Sequence, residues 1–348
     1  MTDALRSNGV LKVGEVSGIT TTVMGDGQGF TGQVARIELD YANSNGTAPA
    51  SLIAKFPSAD PQLYDVLANI GIYEREASFY NELASDVCLN VPQLYYSHVD
   101  SEKGESILLL EDFRDAQPLD VFAGMSLDEA LYVLEQLARF HASWWQSPRL
   151  SEFEWLWMFN QRAAQNQEDF IGHFDTFRNT MSDLVSPEFI ALGERVTPNI
   201  AWIKDQLSKE PTTLMHGDCH LNNMFLSTGP DGYDLKVFDW QLCCRGNAMR
   251  DVAYFIANSL TTDVRKEHES TMLNTYYETL VKQGVTDFSM EGCMHAYKLS
   301  ALDFYSFMVV VLVILDFTSE DALAIRDLIF ERWGGFILDH CAIDLLPA

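Results

Sequence analysis

The chain has 348 residues, 47% of them hydrophobic, which is ample for a packed interior and more than a single core usually holds, so two lobes or domains are expected. Asp and Glu number 50 against 23 Lys and Arg, and the resulting −27 repels a nucleic-acid backbone at long range, so no nucleic-acid partner is expected. Charge of this size keeps a protein soluble without naming its substrate.

The six cysteines, Cys88, Cys219, Cys243, Cys244, Cys293 and Cys341, form no C-x-x-C pair, and the N-terminus lacks an apolar leader. Both features predict a reduced, cytoplasmic protein. The longest apolar run, Phe304 to Leu315, lies between Asp303 and Asp316 and is too short to cross a bilayer. No membrane span is expected.

Taken in order, the chain opens with a short helix ahead of Gly14 and then turns to β patterning, with strands over Ile19–Val23 and Val34–Tyr41. Between them, Gly25-Asp26-Gly27-Gln28-Gly29-Phe30-Thr31-Gly32 forms a glycine-rich turn whose amides at Gly27 and Gly29 could approach phosphates closely. It is not a P-loop, for the G-x-x-x-x-G-K-[ST] spacing is missing.

The strand Ser51–Pro57 carries one lysine, Lys55, in an apolar setting. A buried ammonium needs a counter-charge, and Glu76 on the helical stretch Ile72–Tyr80 is the candidate, with Glu74 as fallback. Another apolar strand, Ile107–Leu110, ends in Glu111-Asp112-Phe113.

From Ser126 the pattern is helical. Ser126-Leu127-Asp128-Glu129 is a capping box, and apolar residues at 3.6 spacing continue to His141, read as a packed, hydrogen-bonded histidine. The aromatics Trp144, Trp145, Phe153, Trp155 and Trp157 are read as core. Further helices are predicted over 163–177, 187–207, 251–258, 266–283, 290–315 and 321–340.

The chemistry concentrates in Leu214-Met215-His216-Gly217-Asp218-Cys219-His220-Leu221-Asn222-Asn223 and in Val237-Phe238-Asp239-Trp240. Between them, Met224–Leu226 and Leu235–Phe238 flank the turn cluster Gly229-Pro230-Asp231-Gly232 and read as a hairpin that brings Asn223 beside Asp239. One carboxylate to orient a hydroxyl, with a second carboxylate and an amide oxygen for a hard cation, is the outline of a phosphoryl-transfer site.

His-Gly-Asp-x-His-x-x-Asn followed by Phe-Asp-Trp resembles the catalytic and metal loops of the aminoglycoside phosphotransferase and choline kinase superfamily, and most of all its ecdysteroid-kinase-like branch. The resemblance runs by motif from Gly25 to about Ala257. It implies an α+β, protein-kinase-like two-lobe fold: an N-terminal lobe over 1–113 with an antiparallel sheet and a helix, and a larger, mainly helical catalytic lobe over 114–348.

It also implies ATP and Mg²⁺ as cofactors and a small-molecule hydroxyl as acceptor. In these terms Asp218 is the catalytic base, Asn223 and Asp239 hold Mg²⁺, and Lys55, paired with Glu76, meets the nucleotide phosphates. Gly27 and Gly29 cover those phosphates, while Glu111 (carbonyl) and Phe113 (amide) read the adenine edge. Asp251 matches a family aspartate that braces the catalytic loop.

Trp240-Gln241 stands where protein kinases have Phe-Gly, and His-Arg-Asp and Ala-Pro-Glu motifs are missing, so a small acceptor is expected rather than a protein. The acceptor is read as apolar or steroid-like on the strength of Tyr297, Phe304, Tyr305 and Phe307; a cationic aminoglycoside or amino alcohol is the alternative within the class. Outside it stand a nucleotide-binding pseudoenzyme and a transition-metal site made of His216, Asp218, Cys219 and His220.

Overall fold

The computed structural model describes residues 1–24, 32–44, 46, 48–100, 103–230, 232–315, 317–340 and 342–347. The glycine-rich turn with Gly27 and Gly29 lies outside the described residues. The chain divides into two compact units, one of Met1–Gln117 with Leu235–Cys243, the other of Pro118–Asp234 with Cys244–Ala348.

The smaller unit is built on a five-stranded sheet in the order β1-β2-β3-β5-β4. Its strands are β1 (Glu15–Met24), β2 (Gly32–Ala42), β3 (Ser51–Pro57), β4 (Leu94–Asp100) and β5 (Glu105–Glu111), and every neighbouring pair is antiparallel. Alternation along β2 turns Ala35, Ile37 and Leu39 inward. There Ile37 and Leu39 pack with Leu52, Ala54 and Leu109, and Leu5 of the N-terminal helix α1 (Thr2–Ser7) joins the same core.

Two helices follow β3, α2 (Pro61–Asn69) and α3 (Ile72–Ser78). The first was not foreseen, although its signal is local: Asp60 caps the amides of Gln62 and Leu63, and Pro61 opens the first turn. The segment 235–243 belongs with these elements because Trp240 stacks on Phe79 at 4.1 Å, Val237 donates to Asn90 O, and Arg75 donates to Gln241 O.

The larger unit is mainly helical. Helix α4 (Leu127–Ser143) begins at the expected capping box, with Ser126 and Glu129 serving each other's backbone amides. Its buried residues run from Ala130 to His141, and the helix packs on α9 (Thr262–Lys282). Helices α5 (Ala163–Met181), α6 (Pro187–Val196) and α7 (Ile200–Gln206) come next.

The single helix expected over 187–207 is broken by a 3-10 turn at Thr197–Asn199. Pro198 has no amide hydrogen to continue the ladder, and its ring crowds the preceding turn. Short strands β6 (Thr213–Met215), β7 (Met224–Gly229), β8 (Gly232–Val237) and β9 (Cys244–Gly246) then carry the catalytic-type loops; β6 pairs with β9, and β7 with β8 as the predicted hairpin.

Helix α8 (Met249–Ser259) is buried along nearly its whole length and packs on α10 (Met290–Ile314). At 25 residues, α10 is apolar enough by length and composition to cross a membrane, yet 67% of its apolar window is buried inside the protein. Asp303 in its middle pairs with Lys204 at 2.9 Å, as suits a core helix. The chain closes with α11 (Glu320–Ile329), a wide turn at Phe330–Gly334, and α12 (Gly335–Asp339).

Candidate active site

In the smaller unit the lysine of β3 finds its counter-charge. Lys55 Nζ donates to Glu76 Oε1 at 2.6 Å and to Asp239 Oδ1 at 2.9 Å. The helix carrying Glu76 buries that carboxylate to 6% side-chain exposure, whereas Lys55 and Asp239 keep 21% and 24%. Asp239 follows β8 with φ +67, a left-handed backbone that few residues other than glycine adopt. Aspartate tolerates it at a modest cost, and strain of this kind gathers where a side chain must be aimed.

The three charges sum to −1. Burial presses Lys55 toward losing its proton, but Asp239 and Glu76 outweigh that pressure and raise its pKa. Burial raises Glu76 as well, and Asp239 adds to the rise against the pull of Lys55 toward the ionised form. The two shifts agree once all three groups are counted: one ammonium serves two carboxylates, so the cation gains more than either anion.

The raised Glu76 has a consequence for stability. The unfolded chain ionises Glu76 near 4.5, so as pH climbs above that value the ligand-free fold loses part of its advantage. Glu76→Gln is expected to flatten that decline, read as thermal midpoints between pH 4.5 and 8; an unchanged slope would show that Glu76 ionises freely in the fold.

At the end of β5, Glu111 receives the Gln93 amide on its side chain, and its own amide donates to Gln93 O. Phe113 O accepts from Ala116, and the Lys236 ammonium lies 4.6 Å from the Phe113 ring centre. Asp112 between them is taken up by Arg36 at 2.8 Å and Ser51 at 2.7 Å.

In the larger unit the loop after β6 is organised by a buried carboxylate. Asp251, fully buried on α8, accepts the His216 amide at 2.6 Å and the Gly217 amide at 2.9 Å. His141 Nε2 lies 3.4 Å from the same carboxylate, while its Nδ1 meets the Tyr276 hydroxyl at 2.8 Å. Burial alone would raise Asp251, but His141, then His216 and Arg250, bring it below its ordinary value. Gly217 has φ +83, so a side chain here would strain the turn that offers both amides to Asp251.

Asp218 stands at the end of this turn, and its amide donates to His216 Nδ1 at 3.2 Å, so His216 carries its proton on Nε2. Asn223 Nδ2 donates to the Asp218 carbonyl at 2.9 Å and to its Oδ2 at 3.0 Å, leaving the amide oxygen as the acceptor for another ligand. His220 Nε2 lies 3.6 Å from Asp218 Oδ2, and the Tyr254 ring stands edge-on to the His220 ring at 5.8 Å. Burial opposes ionisation, yet His220 above all, then Tyr254 and His216, hold the carboxyl well below the usual range.

The residues named for a transition-metal site do not converge. Among the described residues, the group whose ligand atoms lie within 4.8 Å of one another is His98, Asp100 and Glu105. Cys219 is buried, and burial pushes its thiol pKa well up, away from the thiolate a zinc site needs.

Arg250 and Tyr254 were not singled out from the sequence. Their signal was available: with Asp251 they place three polar side chains within two turns of an otherwise apolar helix. Of the aromatics expected to face an acceptor, Phe304 and Phe307 gather at Tyr254, with ring centres 5.0 and 5.5 Å away. Tyr297 instead packs on Phe336 and bonds Glu269, and Tyr305 packs on Phe189, whose carbonyl it meets.

A unit with a five-stranded antiparallel sheet and a lysine–glutamate pair, and a mainly helical unit carrying a His-Gly-Asp loop, together define a kinase-like phosphotransferase fold. The chain belongs to the ecdysteroid kinase-like family, whose model matches residues 26–285, and is a phosphotransferase acting on hydroxyl groups.

Similar folds are found in a microcompartment-associated aminopropanol kinase (TM-score 0.59, 12% identity, 99% of each chain covered) and in choline kinase from Cryptosporidium parvum (TM-score 0.56, 10% identity, covering 94% of this chain and 89% of that one). An amicoumacin kinase solved with AMP-PNP, Ca²⁺ and amicoumacin is also similar (TM-score 0.59, 12% identity, covering 99% and 95%). At such identities the likeness is one of fold. Among curated proteins none matches the sequence.

Proposed function

We propose that the protein transfers the γ-phosphoryl group of ATP to a hydroxyl of a small apolar, steroid-like molecule. The observation that carries this reading is Lys55 held between Glu76 and Asp239: an ammonium kept charged and fixed in direction, as a phosphate ligand requires. The family assignment and the AMP-PNP bound to the amicoumacin kinase support a nucleotide as donor.

Asp218 orients the acceptor hydroxyl and takes its proton. Lys55 draws the phosphates, Glu111 and Phe113 offer backbone groups to adenine, and Gly27 and Gly29 cover the phosphates. Asp239 and Asn223 fit a hard divalent cation: the first belongs to a triad with surplus negative charge and is only part-buried, and the second has an amide oxygen to give. Mg²⁺ held there would neutralise charge on the transferring phosphoryl group.

The acceptor reading rests on the aromatic cluster that Phe304, Phe307 and Trp333 form around Tyr254, whose ring in turn meets His220 beside Asp218. Such a cluster of rings suits a neutral, ring-bearing acceptor. Amino alcohols, on which the named aminopropanol and choline kinases act, are the comparison class for a screen.

Calorimetry of ATP binding with and without Mg²⁺, on wild type and Asp239→Asn, is the direct test. Affinity is expected to drop by roughly tenfold or more in the variant and to lose its Mg²⁺ dependence. ATP binding indifferent to both would sink the metal assignment and favour a pseudoenzyme. A screen of hydroxylated small molecules for ADP release would then rank apolar against cationic acceptors.

A further inference from the structure

Two neighbours on helix α8 grip the turn that delivers Asp218. Asp251 takes the His216 and Gly217 amides, and the residue before it, Arg250, donates from Nη1 to the Gly217 carbonyl at 2.8 Å. That carbonyl belongs to the peptide joining Gly217 to Asp218, whose N–H is held by His216 Nδ1 at 3.2 Å. Both polar groups of this one peptide are therefore taken. The grip matters because Gly217, at φ +83, has no side chain to resist rotation of the peptide plane.

Arg250 is itself fixed. It is 6% exposed, its Nε meets Asp303 Oδ2 on α10 at 3.5 Å, and Lys204 occupies the other oxygen of Asp303 at 2.9 Å. The guanidinium lies over the Tyr254 ring at 4.7 Å, with the Phe159 and Phe307 ring centres at 5.7 and 5.8 Å. Burial presses it to shed its proton, but Asp303 above all outweighs that pressure, so it stays a cation. A planar fork held at Nε and packed among rings offers Nη1 in one direction.

We propose that Arg250 is a positioning residue for the phosphoryl-transfer reaction: by holding the Gly217 carbonyl it fixes the peptide plane from which the Asp218 side chain projects, and so the direction of its carboxylate. This rests on the kinase reading above. Asn223 and His220 hold the carboxylate from its own loop, at 3.0 and 3.6 Å, whereas Arg250 ties the loop's backbone to α8 and, through Asp303 and Lys204, to α10 and α7. Without that donor the peptide can turn about Gly217, and a displacement of about 1 Å at a reacting group costs on the order of 10²-fold in rate.

Arg250→Lys separates this role from that of a buried counter-ion. The shorter ammonium reaches Asp303 but stops short of the Gly217 carbonyl, so the charge is kept and the grip is lost. In the full-length chain with Mg²⁺-ATP and the best acceptor from the screen, kcat is expected to fall roughly 10- to 100-fold, with KM for ATP within about twofold. In an Asp218→Asn background the same substitution should cost nothing further, since it acts through that carboxylate. Wild-type kcat in Arg250→Lys, equal losses in both backgrounds, or a raised KM with kcat intact would overturn the proposal.

Amide exchange over residues 216–218 decides the point without turnover. Faster exchange there in Arg250→Lys, with α8 unchanged, is expected; unchanged exchange overturns the positioning role. If the wild type releases no ADP with any acceptor in the screen, the kinase reading fails and the exchange result still judges Arg250. Should Arg250→Lys not fold, Arg250→Met leaves Asp303 paired with Lys204 and removes the same donor, and it should speed the same amides.

Discussion

Asp218→Asn is expected to slow phosphoryl transfer roughly 10²- to 10⁴-fold, the range a positioned proton acceptor contributes. The KM for ATP should change little, since in the reading above this carboxylate meets the acceptor. Its environment defines what kind of base it is. Burial would raise it, but His220 and the Tyr254 hydroxyl outweigh burial and hold it well below the usual range. Such a carboxylate is a weak proton sink at neutral pH.

It therefore serves chiefly by orienting the hydroxyl, taking the proton late, as a loose phosphoryl-transfer transition state allows. The same depressed value means that the group stays ionised throughout the neutral range. Its titration should impose no limb on the rate profile between pH 5 and 9. ADP release at saturating Mg²⁺-ATP with the best acceptor from the screen measures both points. Activity within about threefold of wild type would remove Asp218 from the reaction.

The largest effect on stability is expected at Asp251. Its carboxylate satisfies the His216 and Gly217 amides and lies beside His141, all in the interior of the larger unit. Asparagine can accept from one amide but turns a donor toward another group or leaves it unpaired. A buried donor without a partner costs about 1–3 kcal/mol, and loss of the charge-assisted bonds adds to it, so Asp251→Asn should cost about 3 kcal/mol at pH 7. That is a fall of about 6 °C in Tm for a unit of this size.

The pH dependence follows from the direction of the shift. Asp251 is below its ordinary value of 3.8 in the fold, so its stabilisation is present above that pH and is lost as pH falls through the lower, folded value. The gap between wild type and Asp251→Asn in urea denaturation should be full at pH 7 and narrow steadily below pH 3.8. A variant as stable as wild type at pH 7 would mean that the loop supplies its own hydrogen-bond partners.

Local chemistry made much of this protein legible. Ser126 and Glu129 announce a helix start because a capping box is satisfied within four residues. Lys55 in an apolar strand announces a counter-charge because an isolated buried ammonium is too costly to keep. The two acidic loops, His216–Asn223 and Asp239–Trp240, could be read from spacing, since a hairpin between them follows from turn residues and flanking apolar runs.

What sequence left open was decided by contacts between distant residues. Nothing local says that 235–243 packs with the sheet unit; Trp240 on Phe79 and Val237 on Asn90 decide that. The left-handed backbone at Asp239 likewise belongs to no propensity scale, because aspartate adopts it only where its surroundings impose it. Of four aromatics on one helix, packing turned Phe304 and Phe307 toward Tyr254 and gave Tyr297 and Tyr305 other partners.

The sequence by itself determined the chemical groups, their order and the elements that carry them, since these depend on spacing and on short-range hydrogen bonding. Tertiary structure alone decided which charges share a proton or a counter-ion. Lys55 meets Asp239 across 184 positions, and Asp251 meets the His216 and Gly217 amides 35 and 34 positions away, contacts that exist only once the burial of apolar surface has folded the chain.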